Sequence, residues 1–353
     1  MPDSTTGSVP EQVLGEPLAR DDRHPSGPTV ESSVFSAQRA QSVNRIYQIV
    51  VALSIVGVLV GFSIARPQSF PTMLTLQSVL ANVAPVLLVA LGLTVVLVVR
   101  EFDLSVGYLA GLCGTVAVIF ASTARIGVPV PIAIVASVAV GAAVGCVNGV
   151  MVSYFNASSF IITLATGTVV GGLDTQVLGS NTIYDGIPSS YISIASGSHL
   201  GLSNQTYIAF AAVIALGVTL RHLAVGRYMY ATGSNREAAR LSGIPVRAIS
   251  LSGYAVAGAF TALAGILVSS QAASANPNSG TGLLLPAYAA AFLGSSLWKP
   301  GQFTVVGTVV GALFLQVIST GLSMFSISGA LVSIIQGAIL LVAVMLALIG
   351  SEK

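Results

Sequence analysis

Few side chains in this sequence are equipped for bond-making chemistry. Lys and Arg number 14 and Asp and Glu 12 in 353 residues, with 3 His. His24, His199 and His222 are scattered through polar segments without metal-ligand spacing. No Gly-rich loop is followed by Lys-Ser or Lys-Thr, so the sequence carries no phosphate cradle of the P-loop kind. Paired carboxylates, a Ser/Lys or Ser/His pair and a metal-binding helix motif are also missing, which disfavours an enzyme and leaves the catalytic and metal residue sets empty. What remains suits binding. Asp174 falls within an apolar run, where an ionisable group is a functional candidate by default. A capping role at the membrane interface and a contact with a substrate or partner protein are equally open for it. Asn82, Asn148, Gln271 and Gln316 also fall in or beside apolar runs. Neutral amides suit a polyhydroxyl solute, although hydrogen bonding between helices is their plainer use.

The elements that position these groups follow from composition. An apolar content of 54%, a charged content of 7% and a mean hydropathy of +0.88 lie outside the range of soluble domains. The length suffices for roughly ten membrane crossings of about 20 apolar residues each. Apolar runs cover residues 46–65, 80–99, 106–124, 129–152, 160–178, 207–220, 249–269, 283–298, 303–320 and 329–349. The run at 283–298 is short and contains Pro286, so a broken or re-entrant helix competes with a full crossing and the count stands at eight to ten. The fold class is thus an all-α polytopic membrane protein. Residues 1–44, rich in Pro, Ser, Gly, Asp and Arg, read as a disordered cytoplasmic tail, and residues 45–350 as the transmembrane domain. With the N-terminus inside and ten crossings, only Arg66 and Arg125 of the basic residues face out, which satisfies the positive-inside rule and puts both termini in the cytoplasm. The net charge of +2 gives no ground for nucleic-acid binding. Cys113 and Cys146 sit in apolar runs and read as packing residues rather than a disulfide. Glycines four positions apart recur at 57 and 61, 107 and 111, 141 and 145, 167 and 171, and 307 and 311, a spacing that lets helix backbones approach closely.

The longest cytoplasmic loop, residues 222–248, holds most of the compact polar pattern. Ser234-Asn235-Arg236-Glu237 reads as a capping box, with the Ser234 hydroxyl at the Glu237 N–H and the Glu237 carboxylate reaching back. Ala238, Ala239, Arg240 and Leu241 continue a helix of about two turns, Gly243 is placed to end it and Pro245 to stop it. A helix this short is marginal alone and needs a partner surface. Upstream, Asp103 in Phe102-Asp103-Leu104-Ser105-Val106-Gly107 is placed to cap the next helix, which is favoured over substrate contact.

The run from Gly226 to Ile244 closely resembles the coupling loop of ribose-type ABC sugar importer permeases, a family within the branched-chain/ribose permease superfamily. Asp103, Leu104, Ser105 and Gly107 resemble that family's Asp-Leu-Ser-Val-Gly signature, with Arg100-Glu101-Phe102 standing where many members have a glycine-rich approach. Val147-Asn148-Gly149, the segment opening at Phe160, and Leu285-Pro286-Ala287 through Pro300-Gly301 extend the likeness over about residues 70–350. The resemblance implies a type II-like ABC importer permease in a bacterial plasma (inner) membrane. It implies that Ser234 to Arg240 and Gly243 engage a groove of a separate ABC ATPase subunit, which binds ATP and Mg. No cofactor is expected on this chain. An extracytoplasmic solute-binding protein and a second permease copy or paralogue, as a homodimer or heterodimer, complete the implied assembly in membrane lipid. The implied cargo is a ribose-like monosaccharide, with nucleoside-type or autoinducer-type cargo in related branches. An ion-coupled secondary transporter is the alternative, disfavoured by the scarcity of charge within the apolar runs.

Overall fold

A computed structural model describes Ile49 and residues 53–179, 181–298 and 301–351, so the tail read over residues 1–44 lies outside the described residues. The described chain is built of helices α1 (Leu53–Ala65), α2 (Met73–Val98), α3 (Val106–Ala121), α4 (Val130–Ser153), α5 (Ser159–Leu178), α6 (Ser189–Ser196), α7 (Asn204–His222), α8 (Ala224–Ser234), α9 (Arg236–Leu241), α10 (Val246–Ala272), α11 (Leu284–Leu297), α12 (Val305–Ser323) and α13 (Gly329–Ser351). A two-stranded hairpin, β1 (Ser198–His199) and β2 (Leu202–Ser203), lies between α6 and α7.

Each apolar run of the sequence, where it is described, falls on a helix. By length and hydropathy, however, five described helices qualify as crossings, namely α2, α4, α5, α10 and α12, and a sixth if α7 and α8, bent by 71°, count as one. This is fewer than the eight to ten expected. For α3 and α11 the reason is local. An α-helix rises about 1.5 Å per residue, so the 16 residues of α3 and the 14 of α11 fall short of a hydrocarbon layer about 30 Å thick. Non-helical segments at residues 99–105 and 273–280 lead into them.

α2 is the centre of the molecule. Thr72 starts it, its hydroxyl accepting from Thr75 N–H, and its most apolar stretch is 78% buried against 22% for α4. A helix apolar on all sides belongs inside a bundle; α7, α10, α11 and α12 all pack on α2. α4 lies at the periphery and meets α10 along one stripe, where glycine lets backbones touch. A Cβ at Gly145 would overlap the Tyr254 carbonyl, one at Gly258 the Gly141 carbonyl, and one at Gly149 would lie 2.9 Å from Leu251 Cα. Gly307 and Gly311 on α12 approach Gly294 and Ala290 on α11 in the same way. Four of the five spaced glycine pairs therefore make close contacts, whereas Gly57 and Gly61 meet nothing within 4 Å. Both cysteines are free, Cys113 buried and Cys146 half-buried.

α11 is a half-helix approached by a descending strap. After α10 the chain turns at Ala273, pairs Ala275 with Ile183 in a single β-bridge, and runs down alongside α3. Asn278 lies at the level of Thr115, both bonded to Asp174, and Gly280 packs on Gly111 and Gly107. From Thr115 to Gly107 is about 12 Å along α3 at 1.5 Å per residue. A 3-10 turn, Thr281–Leu283, then feeds α11, with Pro286 in its first turn, where a missing N–H is harmless. Residues 284–297 thus form one continuous helix of 14 residues preceded by a non-helical strap.

Candidate functional site

Two regions gather the sequence's candidate residues. The first is the turn at α8 and α9. α8, eleven residues from Ala224, was not anticipated in the polar loop; it buries Gly226, Met229 and Thr232, and at Gly233 its backbone presses on the Val98 carbonyl at the end of α2. α9 follows at once, and its start differs from the expected capping box. Asn235, not Ser234, is the N-cap, its Oδ1 accepting from Ala238 N–H at 2.9 Å, while Ser234 is the last residue of α8. An Asn side chain in extended conformation reaches the third N–H of a helix directly, which leaves Glu237 free to pair with Arg240. The Arg240 guanidinium donates two hydrogen bonds to Glu237, at 3.1 and 2.6 Å, and together with its charge holds that carboxyl below the usual range.

The end of α9 is as the sequence suggests. Gly243 has φ 81°, its N–H bonds to Arg240 C=O, and Ile244 N–H bonds to Ala239 C=O. This pair of bonds satisfies the last carbonyls in a Schellman arrangement, which only a residue at ease with positive φ permits. Glu237, Ala238, Arg240 and Leu241 face outward, Leu241 at 76% exposure, but Ala239 is buried in the chain itself. The outward face therefore lacks one of the two alanines the resemblance placed on it.

The second region is the extended segment between α2 and α3. Arg100 turns the chain with φ 65°, and from there every backbone N–H to Ser105 has an acceptor. Glu101 N–H bonds Val96 C=O, Phe102 N–H bonds Ser159 Oγ, Asp103 N–H bonds Tyr288 Oη, and Leu104 N–H bonds Thr163 Oγ1. Asp103 Oδ1 accepts from both the N–H and the hydroxyl of Ser105. Non-helical backbone buried among helices must be satisfied by protein groups, and here side chains of α5 and α11 supply them. Tyr254 on α10 donates to Phe102 C=O at 3.0 Å, and Asn148 on α4 donates to Ser105 Oγ at 3.0 Å. Asp103 thus closes a turn onto Ser105, the N-cap residue of α3, rather than bonding the N–H groups of the first helical turn. Gly107 next to it leaves room for Leu284 and Thr281.

Glu101 connects the two regions. Its Oε1 accepts from Arg236 Nη1 at 2.7 Å, with 14% of the Glu101 side chain exposed. Glu101, Ser159, Thr163, Tyr254 and Tyr288 escaped the sequence reading. The signal was present for the tyrosines: a Tyr in an apolar run needs a partner for its hydroxyl.

The remaining candidates are dispersed. Asp174 is buried on α5, where Oδ1 accepts from Thr115 Oγ1 at 2.6 Å and Oδ2 from Asn278 N–H at 3.1 Å. Oδ1 thereby ties Asp174 to α3 and Oδ2 ties it to the strap before α11. Asn82 and Gln271 form an exposed pair at 3.3 Å. Gln316, half-buried, bonds Thr320 on its own helix. Asn148 belongs to the Asp103 cluster, so the five polar candidates fall in four separate places in the chain. Among the described residues no group of three or more His, Cys, Asp or Glu is placed to hold a metal ion.

The sequence profile of the family described as branched-chain amino acid transport system / permease component matches residues 75–344. The chain is similar to the ribose import permease protein RbsC of Escherichia coli (strain K12), at 33% identity over 297 residues, 83% of this chain and 92% of the relative. It is 32% identical over 307 residues to the galactose/methyl galactoside import permease protein MglC of the same strain, covering 82% and 90%. It is also 31% identical over 298 residues to the autoinducer 2 import system permease protein LsrC of Escherichia coli (strain K12 / DH10B), covering 84% and 85%. No solved structure matches the chain.

Proposed function

Since the chain belongs to the branched-chain amino acid transport system / permease component family, we propose that it is the membrane subunit of an ATP-binding-cassette importer whose cargo is a ribose- or galactose-like sugar. The observation that carries this reading is α9, a short helix capped at both ends that presents Glu237, Ala238, Arg240 and Leu241 outward. A helix of two turns is marginal alone and gains stability from a partner surface. In this reading a separate ATPase subunit holds ATP and Mg and receives α9, while an extracytoplasmic binding protein selects and delivers the sugar. Two permease copies enclose the passage, as a homodimer, in a bacterial plasma membrane.

The ten-helix arrangement with cytoplasmic termini fits this reading, with α11 and its strap making one composite crossing. It places α8 and α9 inside and the β1–β2 hairpin outside. Leu200, at the hairpin tip and 98% exposed, is the position to test. A Leu200→Cys variant is expected to react with a membrane-impermeant maleimide on intact spheroplasts, and a Leu241→Cys variant only after the membrane is opened. The reverse pattern overturns the topology and the coupling assignment together. The ion-coupled alternative finds no support in Asp174, since both of its oxygens are engaged by Thr115 and Asn278.

Docking itself is tested at Ala238, because Ala239 faces inward. Ala238→Trp is expected to reduce sugar uptake at least tenfold and to reduce co-purification of the ATPase subunit in step, with membrane abundance near wild type. Overfilling a fitted groove commonly costs about 1 to 3 kcal/mol, a factor of roughly 5 to 150 in association. Glu237→Lys, which removes the pair with Arg240, is expected to act in the same direction. Full uptake with normal ATPase binding in Ala238→Trp would remove the docking role of α9.

A further inference from the structure

Among the described residues, the Arg236–Glu101 ion pair is the polar tie between α9 and the segment at residues 100–105. A second contact lies beside it, where Gly233 presses on the Val98 carbonyl. The two differ in mechanical kind. Backbone packed on backbone is held only by short-range, non-directional dispersion. An ion pair with a 2.7 Å hydrogen bond resists separation. Beyond Glu101 the connections continue without a gap. Two residues on, the Asp103 N–H donates to the Tyr288 hydroxyl, and that hydroxyl in turn donates to Asp103 C=O, at 3.0 and 3.1 Å. Tyr288 sits in the second turn of α11, whose start packs on Gly107. Asp103 Oδ2 and Asn148 Oδ1 are buried in this network without a donor, spare acceptors that a second arrangement of the segment can satisfy.

We propose that the Glu101–Arg236 pair is the strut through which displacement of α9 pulls residues 100–105 and, through Tyr288, moves the half-helix α11. This rests on the reading of α9 as the surface docked by an ATPase subunit. Glu101 is then a positioning residue for transport: it touches neither cargo nor nucleotide, and its partner Arg236 stands just inside the Asn235 cap, where motion of α9 reaches it first. A merely stabilising surface ion pair would add at most a small increment to the fold and would leave coupling intact.

The test uses the full assembly, permease with its ATPase subunits, carrying Thr281→Cys as a reporter at the exposed start of the turn before α11. The readout is the rate of labelling by a hydrophilic maleimide before and after trapping with ATP and vanadate, which requires no knowledge of the cargo. Trapping is expected to change that rate at least threefold in the reporter background. Glu101→Arg or Arg236→Glu alone is expected to abolish the change while the ATPase subunit still co-purifies, and the two together, with the charges exchanged, to restore it. Should a reversal fail to accumulate, Glu101→Gln and Arg236→Gln replace it, with a reduced response expected at normal abundance. The strut is overturned by a full response in the single variants, by no restoration in the exchanged pair, or by a reporter background that holds its ATPase subunit yet does not respond. Loss of ATPase co-purification in a single variant overturns it too, by placing the pair in the docking surface. Absence of a co-purifying ATPase in the reporter background, by contrast, defeats the proposed function.

Discussion

Replacing Gly258 by Leu is expected to reduce folded protein in the membrane to near background, the largest effect of any single change considered. At this position the Cβ would fall on the carbonyl of Gly141, and neighbouring Gly145 lies within 3.3 Å of it. Both obstacles are backbone, so no rotamer change relieves the clash. α10 must move away from α4, and the contacts of Gly141, Gly145 and Gly149 along that stripe separate together. Overpacking in a core costs about 1 to 3 kcal/mol when side chains can adjust, and more is expected where they cannot. Because van der Waals contact rather than water exclusion holds helices together in lipid, the lost contact is not replaced by a hydrophobic gain elsewhere. Gly258→Ala is expected to show the same direction with smaller loss. Gly172→Leu on α5, where nothing lies within 4 Å, is the matched control and is expected to accumulate normally. Quantitative immunoblotting of membranes, with thermal aggregation in detergent, reads all three. Equal abundance of Gly258→Leu and Gly172→Leu would show that the α4–α10 stripe is not a close backbone contact.

The second large effect is expected at Asp174. In Asp174→Ala the Asn278 N–H and the Thr115 hydroxyl lose their shared acceptor in a buried setting, at about 1 to 3 kcal/mol for each unsatisfied group. The consequence reaches beyond stability. Asn278 has φ 60°, an orientation that the carboxylate holds, and Thr281 follows it into the turn that starts α11. Uptake is therefore expected to fall by more than tenfold while abundance falls less. Asp174→Asn, which keeps one acceptor oxygen, is expected to lie between. Transport of labelled D-ribose or D-galactose, whichever the wild-type assembly imports, is measured against abundance and melting temperature. If Asp174→Ala transports and melts as wild type does, the strap is held by other contacts and the bracing role is lost.

The sequence made the helices legible because hydropathy over some twenty residues is a strong signal, and each apolar run, where it is described, falls on a helix. The breaks near residues 99–106 and 269–283 were legible too, since Arg100, Glu101, Asp103, Asn276, Pro277 and Asn278 interrupt the apolar pattern. What holds those segments out of helix was not, because in a helical bundle the bonds that release a backbone from helix are supplied by distant residues such as Tyr288, Thr163 and Asp174. At α9, Gly243 was readable because positive φ at a helix end has a local cause, whereas the N-cap slipped by one residue because Ser234 and Asn235 are both good caps and α8, which consumes Ser234, was not foreseen. α8 itself has the composition of a loop and becomes helical by laying Gly226, Met229 and Thr232 on its neighbours. Glu101 and Arg236 lie 135 positions apart, and no spacing rule pairs them. Asp174 was singled out correctly as unusual, but its use for a backbone N–H depends on a strap whose path is set by tertiary structure.

The burial of α2 bears on how the chain is made. α2 is synthesised early, yet α7, α10, α11 and α12, which surround it, all come later, α7 opening at Asn204 and α12 closing at Ser323. While the ribosome works through that interval, a helix destined for the middle of the bundle stands against lipid, apolar enough to be stable there but without the neighbours that fix its rotation. A chain interrupted before Val246 would retain an inserted α2 whose α10 face is bare. Such fragments are natural targets for membrane proteases, and chaperoning of α2 until α10 arrives would set the yield of the finished subunit.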